Sequence, residues 1–523
     1  MIYHRHKPLY APRGAVATSQ PLAAATGLDV LRRGGNAVDA AVATAIALTV
    51  VQPGSNDIGG DLFAIVWDGT RPHGLNASGR SPAALTADRV PGGMPERGWL
   101  PVTVPGAPAG WRDLHARFGA LPFADLFTDA IAYAERGYPV SPEIARSWAS
   151  SVAQYARLSG PEYTEWGRIF TVDGGRAPRV GERWANPGAA RTLRLIAETG
   201  AEAFYTGEVA TALADHAART GGLITAADLA AHTSSWVEPI SVSYRGHEVW
   251  ELPPNGQGLA ALVALGILDG VDLAALPAAE RLHWQIEAMK LGFADAFAYV
   301  ADPDRVTVPP AALLAPEYLA ARRSEIGERA AVPAPGDPAR GGTVYLCTAD
   351  AGGLMVSLIQ SNYMGFGSFV AVPGYGFGLQ NRGLGFRPEP DHPNGIGPAK
   401  RPFHTIIPGF LTKGGEPVGP FGVMGGHMQP QGHLQVITST VDGLDPQAAL
   451  GAPRWYWQSG RAVLVEEGLA GAGALADLER RGHEITTVRE PSTFGYGQAI
   501  WRLPDGGYVA GSEPRADGQA VGY

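Results

Sequence analysis

The sequence predicts a mixed α/β (α+β) protein, and three observations carry that expectation. Helix signals with recognisable caps recur up to about residue 300, and runs of strand character bounded by turn residues cluster after Thr343. Glycine and proline, 70 and 43 of 523 residues, mark many turns between short elements while staying below the range of low-complexity chains. A chain of this length can bury a large core and by length alone would hold about two to four domains.

The elements follow in order. Residues 19–33 predict a helix with Pro21 in its first turn, closed by Gly34-Gly35, after which Asn36 caps an alanine-rich helix to about Val51. The glycine-rich turn 53–61 leads into a strand over 62–67; it is neither G-x-G-x-x-G before a helix nor a P-loop, so no phosphate site is assigned. Arg80 lies among Gly, Ser and Pro just past the next strand, where it suits a bidentate grip on a carboxylate or a solvated loop charge. Helices are expected over 110–118, 123–137, 143–157 and 189–200, strands across 239–252, and a helix over 279–299. His283 and Glu287 stand one turn apart in that last helix, but without the second histidine of H-E-x-x-H, so a metal is not expected. Residues 321–342, rich in Arg, Glu, Pro and Gly, read as an exposed linker.

At Gly341-Gly342-Thr343 the composition changes sharply. Thr343 opens a strand over 343–348 that pairs as a hairpin with 354–361. Cutting the Gly342–Thr343 bond would give one residue both a hydroxyl nucleophile and an α-amine base. That amine titrates near pH ~8, so a useful fraction is neutral at pH 7. The same residues also suit a loop running into a strand. Downstream, short polar or Gly-rich turns recur at 361–368, 379–383, 401–405 and 424–427. Gly425 and Gly426 suit backbone donors to an oxyanion, or an ordinary hairpin turn. His427 and His433 flank Pro430, which argues against a helical metal pair. G-x-S-x-G does not occur.

The net charge of −9 and the lack of a long basic run give no footing for nucleic acid. The amino terminus carries no apolar signal region and residues 40–51 are too short to cross a bilayer, so the expected location is cytoplasmic, with no membrane partner. The single cysteine, Cys347, allows no intrachain disulfide.

Several motifs occur in order through nearly the whole chain. They are Leu31-Arg32-Arg33-Gly34-Gly35-Asn36-Ala37-Val38-Asp39-Ala40-Ala41, Val104-Pro105-Gly106-Ala107-Pro108-Ala109-Gly110 and Phe204-Tyr205-Thr206-Gly207. After them come Leu223-Ile224-Thr225-Ala226-Ala227-Asp228-Leu229, Glu287-Ala288-Met289-Lys290, Asp302-Pro303-Asp304, the threonine-led hairpin and Gly425-Gly426. The ordered set resembles the γ-glutamyltransferases, which are N-terminal-nucleophile hydrolases. The resemblance implies a four-layer αββα sandwich made as an inactive chain that cuts itself at Gly342–Thr343. The large piece 1–342 and small piece 343–523 would stay intertwined as a heterodimer in one body. It implies Thr343 as nucleophile, Gly425 and Gly426 as oxyanion hole, Arg80 as carboxylate grip, and no cofactor or metal. Ser361 stands where the family has a threonine that hydrogen-bonds the nucleophile.

Departures from the family pattern bear on substrate. Tyr363 stands in place of an asparagine, Arg382 and Gly385 in place of the groups that hold an α-ammonium, and His404-Thr405 in place of a serine pair. Asn381, Arg382, His404, Thr405 and Tyr363 are therefore the expected substrate-binding residues beside Arg80. An arginine offers no acceptor to an ammonium. The expectation is hydrolysis of a small carboxylate-bearing amide without an α-amine, similar to oxamate-type amidohydrolases and some acylases. The alternatives are a γ-glutamyltransferase or glutathione hydrolase acting on γ-glutamyl amides, and an unprocessed binding protein.

Overall fold

Asn36 opens the helix Ala37–Val51 with a reciprocal cap: its side chain accepts from Val38 N and Asp39 N, while the Asp39 carboxylate takes the Asn36 N–H. Every residue of that helix is buried, which its small apolar side chains permit and a surface helix would not show. The preceding helix, Pro21–Arg32, is capped by the Gln20 side chain. The computed structural model describes residues 7–332 and 342–523.

Two seven-stranded sheets form the centre. The first runs, in spatial order, Gln519–Gly522, Ala15–Thr18, Gly342–Ala349, Met355–Tyr363, Asp61–Trp67, Pro72–Asn76, Ser235–Val237. The second runs Leu9–Ala11, Tyr508–Ser512, Tyr496–Arg502, Glu416–Met424, Gly409–Lys413, His247–Glu251, Ile240–Tyr244.

Period-two alternation along the strands divides the core. In Gly342–Ala349, Tyr345 and Cys347 face the second sheet, in one layer with Phe63, Ile65, Ile359, Phe410 and Ile500. Val344 and Leu346 face the other way, onto Ala37–Val51 and its neighbouring helices. Val249, Leu411, Phe421 and Trp501 on the far face of the second sheet pack against the helices Gly258–Asp269, Ala278–Tyr299 and Met428–Val441. The layers are helix, sheet, sheet, helix, the αββα arrangement that the resemblance implies. Both central sheets mix strands from before and after the Gly342–Thr343 bond, so neither part of the chain builds either of them alone.

Two expectations need correction. Residues 321–324 belong to the helix Pro316–Ser324 and are not linker. Arg322 is drawn to Asp295 at 2.8 Å, and Ala331 is held by its backbone N–H on Glu287 Oε2 and its carbonyl under Lys290 Nζ, both 3.0 Å. Arg322, in a stretch that reads as exposed, is thus ion-paired to Ala278–Tyr299; residues 333–341 of the expected linker lie outside those described. Nor does the Gly425-Gly426 turn belong to a hairpin, since it joins the strand Glu416–Met424 to the helix Met428–Val441. Pro430 sits in that helix's first turn, where its missing N–H leaves no intrahelical bond unmade. His433 is therefore helical, but its ring bonds Glu251 while His427 bonds Gln257. Among the described residues, no helix is long and apolar enough to cross a membrane.

Candidate active site

The register of the threonine-led hairpin breaks at its most important residue. Gly342 pairs with Tyr363 and Val344 with Gln360, which leaves Ser361 and Asn362 opposite Thr343 alone. Such a bulge re-aims a side chain. Thr343 Oγ1 lies 3.1 Å from Ser361 Oγ, and Gln429 Nε2 donates to it at 3.5 Å. Thr343 is fully buried, and among the described residues no carboxylate or imidazole reaches its hydroxyl.

Ser361 is itself held from two sides, accepting from Tyr363 N at 2.8 Å and from Arg382 NH2 at 3.1 Å. Tyr363 has φ +73°, a conformation that bulky residues rarely adopt and asparagine tolerates better. The Arg382 guanidinium lies 4.3 Å over the Tyr363 ring centroid, donates from NH1 to Thr405 Oγ1 at 2.7 Å, and has 0 % exposure. Its Nε has no partner among the described residues, and burial lowers its pKa to about 10, opposed by Asp61. The second anion receptor expected there has the charge but no open face.

Behind this group stands a pair that sequence reading missed. His404 Nε2 lies 3.1 Å from Asp61 Oδ2, while Asp61 Oδ1 accepts from Gly79 N. Burial raises Asp61 to about 7 against the pull of Arg382, and burial with Arg382 and Arg401 drives His404 well below its usual range. The imidazole is neutral; Nδ1 accepts from Ile406 N at 3.3 Å, which places its hydrogen on Nε2, toward Asp61. Thus His404 orients a carboxylate and Thr405 orients an arginine.

Gly425 and Gly426 have φ +133° and +61°, and their carbonyls accept from Met428 N and Gln429 N as the helix begins. Gln257 Nε2 bridges Gly426 O and Thr405 O at 2.9 and 2.6 Å, tying this turn to the Arg382 side of the site. The N–H groups of Gly425 and Gly426 donate to nothing among the described residues. Two undonated amides at the positive end of a 14-residue helix can receive an oxyanion. A cavity of about 300 Å³ opens against Gly425 and Gly365, lined by the Glu143, Ser147, Ser151 and Gln154 face of Pro142–Tyr155. Ser55, also on its wall, accepts Asn362 N, one residue from Ser361.

Not every expected residue joins this group. Arg80 is 40 % exposed and spends its donors on Asp302 (2.8 Å), Ala399 O (3.0 Å) and Asp304 (3.2 Å). Asn381 is buried, but its side chain accepts from Met364 N and donates to Glu96 O, bracing the loop that carries Arg382. His283 and Glu287 are joined by the distant His483, with ligand atoms within 4.8 Å of one another. Lys290 Nζ, 2.7 Å from Glu287 Oε1, already supplies the positive charge there. Gln429, Gln257 and Asp61 carried no motif; each became visible only when distant segments met.

Comparison with known proteins gives a consistent set of relatives. The family described as gamma-glutamyltranspeptidase matches residues 23–523. The chain is 37% identical to the glutathione hydrolase-like YwrD proenzyme of Bacillus subtilis, over 99% of this chain and 100% of that one. It is 36% identical to the oxamate amidohydrolase proenzyme of Klebsiella pneumoniae, again over 99% and 100%. Among solved structures, a cephalosporin acylase from Bacillus halodurans is 51% identical with a TM-score of 0.96, covering 99% of this chain and 97% of that one.

Proposed function

The chain belongs to the gamma-glutamyltranspeptidase family of N-terminal-nucleophile hydrolases and transferases, and from that premise we propose that Thr343 is the nucleophile with which it cleaves γ-glutamyl-type amides. The observation that carries this is the placement of the Thr343 hydroxyl, 3.1 Å from Ser361 Oγ and linked through Gln429 to the turn whose two glycine N–H groups are undonated. In the uncut chain Thr343 Oγ attacks the Gly342 carbonyl, the peptide becomes an ester, and water releases a 342-residue piece and a 181-residue piece headed by Thr343. The freed α-amine then takes the hydroxyl proton as Oγ attacks the substrate carbonyl. The oxyanion rests on Gly425 and Gly426, the protonated amine departs into the polar cleft beside Gly425, and water or an acceptor amine takes the acyl group from Thr343.

The glutathione hydrolase-like relative supports a γ-glutamyl donor. A second reading, an acyl group with a carboxylate but no α-amine, is favoured by one observation. Arg382, buried 0 % exposed where an ammonium would need an acceptor, carries a positive charge with no carboxylate in hydrogen-bond contact. Under both readings Arg80 is the carboxylate grip, which requires it to exchange Asp302 or Asp304 for substrate. The discriminating assay compares γ-glutamyl anilide with glutaryl anilide, which differ only in the α-amine, and adds oxamate. Faster release from γ-glutamyl anilide supports the first reading; faster release from the amine-free amides replaces it with the second. No turnover of any by cut protein overturns both.

A further inference from the structure

We propose that Arg382 is a positioning residue, whose buried guanidinium fixes and polarises the Ser361 hydroxyl so that it gives a hydrogen bond to Thr343 Oγ as negative charge builds there. The inference rests on the reading of Thr343 as nucleophile. A hydroxyl oxygen has two lone pairs, and Ser361 Oγ receives Tyr363 N at 2.8 Å and Arg382 NH2 at 3.1 Å. With both lone pairs taken, Ser361 Oγ can meet Thr343 Oγ1, 3.1 Å away, only as a donor.

The charge behind that hydroxyl is not quenched by contact. Both hydrogen-bond partners of the guanidinium side chain are hydroxyls, Ser361 and Thr405. The groups of ionisable type that face it are Asp61 from Asp61–Trp67, Tyr363 below it, and the rings of His404 and His427. Asp61 is occupied by Gly79 N and His404, and burial keeps both histidines and Tyr363 in their neutral forms. An arginine, not a lysine, suits the place, because one planar fork spans two hydroxyls while its face rests on an aromatic ring. Its field falls on the Thr343 hydroxyl during attack, and after cutting it opposes protonation of the Thr343 α-amine.

The test uses the full chain and its Arg382→Gln, Arg382→Lys, Ser361→Ala and Ser361→Ala/Arg382→Gln forms, with melting curves to confirm folding. Loss of one charge-assisted hydrogen bond predicts self-cutting and kcat slowed by about 10–100-fold in Arg382→Gln, with KM changed by less than about threefold. The acid limb of the kcat/KM profile moves to higher pH by about one unit, because a neutral residue no longer disfavours the charged amine. Arg382→Lys keeps the limb in place and recovers part of kcat. The double form is little slower than the slower single form, since both changes break one chain. Wild-type cutting and an unmoved limb in Arg382→Gln would overturn the proposal, as would additive losses in the double form or a loss that Lys neither rescues nor leaves free of a pH shift. Should the Gln form not fold, Arg382→Lys decides alone: slower cutting with the limb in place supports the role, and full wild-type behaviour removes the need for the fork. A wild-type chain that never cuts, like Thr343→Ala, would instead sink the nucleophile itself.

Discussion

Thr343 is surrounded by donors. Ser361 and Gln429 reach its hydroxyl, and among the described residues no side chain there can take its proton. On the proposed mechanism, activation in the uncut chain thus comes from stabilising the oxygen as it attacks, and the cut supplies a base. Thr343→Ala is expected to leave a single uncut chain of 523 residues and no amide turnover, read by intact mass and by anilide release. Thr343→Ser keeps the hydroxyl and loses the methyl that limits its rotation, so it is expected to cut, about tenfold more slowly, on a gel time course. Tyr363 shows the other side of residue-scale design. Its φ of +73° is strain stored beside the nucleophile, held by its own N–H on Ser361 and by the guanidinium over its ring.

Among the elements, the strand–turn–helix around Gly425 is, on the proposed mechanism, the one that meets the oxyanion. A Cβ on Gly425 would stand 3.1 Å from Gly495 Cα at a φ of +133°. Gly425→Ala is expected to lower kcat by about 10²–10³-fold, the scale of a lost oxyanion donor, with KM nearly unchanged in steady-state assays. Gly106→Ala acts differently, because its Cβ would lie 1.4 Å from the backbone oxygen of Ala77, which has no freedom to give way, and expression should yield no folded protein. Local signals made much of this legible beforehand: the Asn36 cap, the buried alanine helix, the hairpin after Thr343 and the Gly425-Gly426 turn are written in adjacent residues. Pro430 misled because proline in a helix's first turn looks, in one dimension, like a proline that forbids a helix. The Asp61–His404, Gln257–Gly426 and Arg80–Asp302 contacts join residues 343, 169 and 222 positions apart, and no spacing rule spans such gaps.

For the whole molecule, burial sets a pH profile of stability. His232, His427 and His483 are lowered by burial to about 3, so their contribution is present above the unfolded value near 6.5 and is lost as pH falls toward 3. Asp57 and Asp61 are raised by burial to about 8 and about 7, so theirs is present below the unfolded 3.8 and is lost as pH rises through those values. The melting temperature is expected to peak at about pH 6–7 and fall on both sides, and Asp61→Asn should flatten the alkaline side in a calorimetric series. Because the two sheets are shared, the pieces should co-elute on gel filtration after cutting and part only in denaturant. One small anchor then acquires a role in the finished protein. Glu287 and Lys290 grip Ala331 by its N–H and its carbonyl, and residues 332–342 would follow it to the end of the proposed large piece. If the chain is cut at Gly342–Thr343, covalent geometry alone bounds the new carboxylate to within about 40 Å of that anchor. On the proposed cut, a carboxylate so bounded would be a standing competitor for the cationic groups within that radius.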